Sequence, residues 1–60
     1  NSFLANVWES GCYLRLAELL IEDESNESKK YFLMAKKIIE SDSRLIIRKR
    51  QLNQLNKELK

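Results

Sequence analysis

Sixty residues with one cysteine, no histidine and no proline make at most one domain, and one with few means of stiffening itself. Cys12 has no partner for an internal disulfide, a zinc site has no ligands, and no apolar run approaches the roughly 18 residues of a membrane span, so cofactor, metal and membrane roles are not expected. The net charge of +2 conceals an asymmetry: residues 1–27 set Arg15 against six carboxylates, whereas residues 28–60 set ten cations against three. Segments of opposite sign attract, which favours a hairpin or an assembly in which they meet between chains. The chain opens on Asn1-Ser2 without an initiator Met, so it reads as a module of a larger protein, and its lone cysteine fits an intracellular setting, cytoplasm or nucleus.

A composition rich in Leu, Ile, Lys and Glu argues for an all-α chain. The first helix is expected over residues 1–22, with Gly11 marking a bend, a close contact or a break. In its second half Arg15, Glu18 and Glu22 share one narrow stripe with Gly11, and nearly everything else is apolar. One antiparallel neighbour cannot cover so much, so this helix should be central, packed by its own second helix and by another chain. Trp8, with Phe3, Leu4 and Val7, makes an apolar N-terminal cluster; Trp8 and Tyr13 are candidates for partner contact as well as for core. Residues 23–27 form an acidic loop, and Ser25, Asn26 or Ser28 is suited to cap the next helix.

From Tyr31 onward Ile38, Leu45, Leu52 and Leu59 recur every seven residues, a spacing that keeps one apolar stripe facing a partner helix. Ser41-Asp42-Ser43 are poor helix residues and good N-caps, yet no Gly or Pro enforces a break and the repeat crosses them in step. The expectation is therefore a helical hairpin whose long second helix runs from about 27 to 58 (residues 28–60 as a unit), roughly 48 Å at 1.5 Å per residue. The alternative is a three-helix bundle broken near 41–43. Leu14, Leu16, Leu20, Ile38 and Ile39 should form the hairpin core. Past Ile47 the apolar set narrows to two positions in seven, which suits a dimeric coiled coil, so Leu45, Leu52, Leu55 and Leu59 are expected at a dimer interface.

Catalysis finds no support in these residues. Cys12 has no histidine to activate it, the acidic loop lacks the ligand spacing and glycine of a calcium loop, and there is no phosphate-cradling glycine-rich loop. The rival signal is the basic run Arg44, Arg48, Lys49 and Arg50, which on a helix could enter a DNA groove, although the acidic first half would repel phosphate. Tyr31-Phe32-Leu33-Met34-Ala35, together with Ile47-Arg48-Lys49 and a Leu-rich end, resembles the later helices of MIT domains over about half the chain. That resemblance implies a three-helix bundle with a groove for short helical tails; the first helix and the short loop depart from the pattern. The residues themselves point to a non-enzymatic association module of a larger protein: a homodimer, with a further helical protein docking on its bundle as a second partner.

Overall fold

Helix α1 spans Ser2–Leu19, α2 Ser25–Ser41 and α3 Ile46–Glu58 in the computed structural model, which describes residues 2–59. Positions 1 and 60, the ends of the expected module, lie outside the described residues. The all-α expectation holds, as a small bundle of three helices in which α2 runs back along α1 and α3 turns forward again. Three contacts fix these directions. Ser28 at the start of α2 donates its hydroxyl to the Ala17 carbonyl near the end of α1. Asn6 near the start of α1 donates to the Asp42 carboxylate just beyond α2, 3.2 Å away. At the start of α3, Arg48 Nε donates to the Val7 carbonyl at 3.2 Å.

The α1–α2 contact is the most extensive and is built on small side chains. Ala17, Ser28, Ser10 and Ala35 are fully buried. Ser10 and Ala17 stand seven apart on α1, and Ser28 and Ala35 stand seven apart on α2. In the antiparallel register that sets Ser28 on Ala17, Ala35 falls opposite Ser10, so two small–small pairs let the backbones approach. The two buried hydroxyls are satisfied locally: Ser28 by Ala17, and Ser10 by the Asn6 carbonyl of the preceding turn at 2.6 Å. Leu14, Phe32 and Ile39 fill the core beside this seam, and Tyr13 stacks on Tyr31 with ring centroids 6.0 Å apart.

The long second helix expected over 28–60 is interrupted. Residues 42–45 form a turn in which Leu45 N–H donates to the Asp42 carbonyl at 3.1 Å, so the chain takes the three-helix alternative. No Gly or Pro makes the break; Asp42 does. One carboxylate oxygen accepts from the Arg44 backbone N–H at 3.0 Å and from Arg44 Nε at 2.9 Å. The other accepts from Arg44 Nη2 at 2.8 Å and from Asn6. A carboxylate that bonds the backbone two residues ahead offers the chain an alternative to the helix, and here a bidentate arginine and a long-range amide reinforce it. These donors hold the Asp42 carboxyl well below the usual carboxylate range: the Arg44 guanidinium contributes most, its backbone N–H next, against an opposing cost of burial.

The turn also shifts the phase of the core. Along α2 the buried positions are Ser28, Phe32, Ala35 and Ile39, a 4-3-4 spacing that would continue to 42 and 46. Beyond the turn the buried positions are Leu45, Leu52 and Leu55, with Leu59 half-buried, and Ile46 faces solvent. The column Tyr31–Ile38–Leu45–Leu52–Leu59 is thus only half-buried in α2 and becomes core in α3. A heptad count cannot detect a turn that preserves the spacing while it changes the face.

Gly11 neither bends nor breaks α1. It is a close-contact glycine: a Cβ there would stand 2.6 Å from Arg48 Nη2, so its absence lets the guanidinium lie against α1 and reach Val7.

Candidate protein-docking face

Leu45, Leu52 and Leu55 are buried inside a single chain, and Leu59 packs against the same core. The leucines expected between two chains are therefore occupied within one. The reason is the break at 42–45, which folds α3 back onto α1 and α2 instead of extending it into solvent. Of the expected hairpin core, Leu14 and Ile39 are buried and Leu20 and Ile38 half-buried, whereas Leu16 is exposed. Leu16 lies well round the helix from the face centred on Ser10, Leu14 and Ala17.

What α1 leaves uncovered is unusual. The buried face carries Ser10, Leu14 and Ala17, and the opposite face should be polar in an ordinary surface helix. It instead carries Leu4, Trp8, Cys12, Leu16 and Leu19, spaced 4-4-4-3 so that they align along one side of the helix. Trp8 is 72% exposed, Leu19 66% and Leu4 54%. Cys12 is exposed between them. Arg15 is exposed within this side, between Trp8 and Leu19, and Glu9 lies at its edge beyond Leu16. Of the two candidates for partner contact, Trp8 is free on this face, while Tyr13 is half-buried in its stack with Tyr31.

Beside the stripe, an open groove of about 930 Å³ lies between α1 and α3. Leu14 and Leu55 lie at its base, and Trp8, Cys12 and Leu16 form the α1 wall. Arg48 and Arg50 lie at the end near Trp8, both carboxylates, Glu18 and Glu58, lie at the other, and Arg15 stands between. The total accessible surface of 4610 Å² exceeds the roughly 4,100 Å² that size scaling gives for this mass, in keeping with a helix face and a groove left bare.

The basic run is partly engaged. Arg44 is clamped on Asp42 and lies over the Phe3 ring at 4.6 Å. Arg48 is half-buried and bonded to Val7 and Gln51. Lys49 and Arg50 are exposed but point about 100° apart on the helix, so the four cations do not form one free patch. Among the described residues no group of three or more His, Cys, Asp and Glu side chains is placed to hold a metal, and no helix is long and apolar enough to cross a membrane.

Three features escaped sequence reasoning: the paired small residues of the α1–α2 seam, the turn-making Asp42, and the apolar outward stripe. The seam was detectable, since Ser10/Ala17 and Ser28/Ala35 repeat at seven. The stripe was half visible in the breadth of apolar residues on α1, but not which side would stay bare. The chain matches no protein family, no curated protein and no solved structure.

Proposed function

We propose that this chain is a non-enzymatic association module that joins protein chains through the outward face of α1, and that its first partner is a second copy of itself. The observation that carries the reading is a largely exposed tryptophan in line with three leucines on the solvent side of a helix whose other side already has a complete core. Contiguous apolar surface of this kind is costly to leave in water and marks interaction sites. Trp is moreover among the residue types most enriched at binding hot spots. Sedimentation equilibrium of the parent chain and of Leu19→Glu tests it. The parent should move toward twice the monomer mass as concentration rises, and the variant should remain monomeric with unchanged helicity. A parent that stays monomeric at high concentration contradicts the self-association reading.

The groove between α1 and α3 favours a second reading, a peptide-binding bundle that receives an amphipathic helix of another protein. Its apolar base and oppositely charged ends suit such a ligand. A nucleic-acid role has less support, because two of its four arginines and lysines are held by protein groups.

A further inference from the structure

Resting on the self-association reading, we infer the geometry of the pair: the second copy lies antiparallel across α1, about a twofold axis near Gly11–Cys12. In that register Leu4 of one copy meets Leu19 of the other, Trp8 meets Arg15 and Leu16, and the two Cys12 side chains face each other.

The stripe is self-complementary only when reversed. Run against itself antiparallel, it sets the exposed leucines at its ends, Leu4 and Leu19, on one another, and each exposed indole finds an aliphatic side chain and a guanidinium, a combination that supplies both apolar contact and cation–π attraction. Run parallel, it sets Trp8 against Trp8 and leaves Leu16 and Leu19 to pair alone.

Charge selects the same direction. A twofold axis perpendicular to two antiparallel helices keeps the same flank of each on the same side, so the two α1–α3 grooves open side by side and reversed. The Glu18 and Glu58 end of one groove then lies beside the Arg48 and Arg50 end of the other, twice per dimer. The connections obey the same reversal: the acidic turn with Glu22, Asp23 and Glu24 sits at the same end as the partner copy's α3 start, which carries Arg48, Lys49 and Arg50. In a parallel pair the twofold runs along the helices and sends the two grooves to opposite flanks, so this pairing of opposite charges is lost.

The area is sufficient. Leu4, Trp8, Leu16 and Leu19 together present on the order of 500 Å² per copy, so a pair covers on the order of 1,000 Å², the lower bound for a specific interface. A contact of this size gives a modest, salt-sensitive affinity.

Cross-linking with a short bis-maleimide tests the register. The parent chain, whose one cysteine is Cys12, should cross-link to itself. In a Cys12→Ser background, Leu4→Cys mixed with Leu19→Cys should give the mixed product in excess over either self-product. A charge exchange supplies an arm that does not depend on the stripe: Glu18→Arg and Arg50→Glu should each weaken the dimer about two- to tenfold, and the two together in one chain should restore it. Dominant Leu4→Cys self-products overturn the antiparallel arrangement in favour of a parallel one. A dimer by sedimentation that yields none of these cross-links overturns the α1 face while leaving self-association intact. A chain that remains monomeric by sedimentation overturns the self-association reading itself.

Discussion

Leu52→Ala separates a leucine of the chain's own core from a leucine of an inter-chain seam. Leu52 is 5% exposed and packs with Phe32, Ile39 and Leu55. Truncation removes three heavy atoms from a site walled by two other helices, and such changes cost about 2–5 kcal/mol according to how far the walls relax. A 60-residue domain holds roughly 3–9 kcal/mol in all, so the variant loses a large share of its stability. At about 4–8 °C per kcal/mol for a domain of this size, the melting temperature falls by at least about 8 °C. Ile47 is the control: it is 69% exposed on the solvent face of the same helix, and Ile47→Ala should stay within about 0.5 kcal/mol of the parent. Circular dichroism at two protein concentrations reads both. The Leu52→Ala deficit relative to the parent should be the same at each concentration. A deficit that vanishes on dilution, or equal small effects of the two variants, would show that Leu52 acts between chains and that the helix does not break at 42–45.

The same contacts have other consequences. Ala17→Leu forces a branched side chain between α1 and α2 at a fully buried position and should lower stability by about 1–3 kcal/mol or prevent folding, as read by urea denaturation. Asp42 makes stability fall in acid. Its carboxyl titrates lower in the folded chain than in the unfolded one, so its contribution is complete above the unfolded value of about 4 and is lost as the pH drops through the folded value. Asp42→Asn should therefore melt lower than the parent at neutral pH, and the gap should narrow toward about pH 2; a constant gap would show that the carboxylate charge is not what holds the turn. Gly11→Ala gains about 1 kcal/mol of helix propensity but displaces the Arg48 guanidinium, so the hydrogen bond to Val7 should be lost while helicity rises, measurable by amide exchange and circular dichroism.

The helical class was plain from the sequence, because no proline, one glycine and a long run of helix formers leave no other regular structure. So were the excess of apolar residues on the first helix over what one neighbour can cover, and the weak point at Ser41–Ser43. Which way the weak point resolves was not legible. The seven-residue column passes through it intact, and only the three-dimensional fact that Asn6 and Arg44 converge on Asp42 decides for a turn. Once the turn exists, Leu45, Leu52 and Leu55 move from an expected seam into the core. The demand for a partner passes to Leu4, Trp8, Leu16 and Leu19. The same physical premise, apolar surface in excess of what sixty residues can bury, survives with its address changed.

Trp8, the sole tryptophan, reports on that address directly. Its emission should be that of a solvated indole in dilute solution and should shift to the blue as concentration rises, in step with the growth in mass. Emission that is blue and insensitive to dilution would place Trp8 in the core of the single chain; emission that stays red while the mass doubles would mean that copies meet somewhere other than α1.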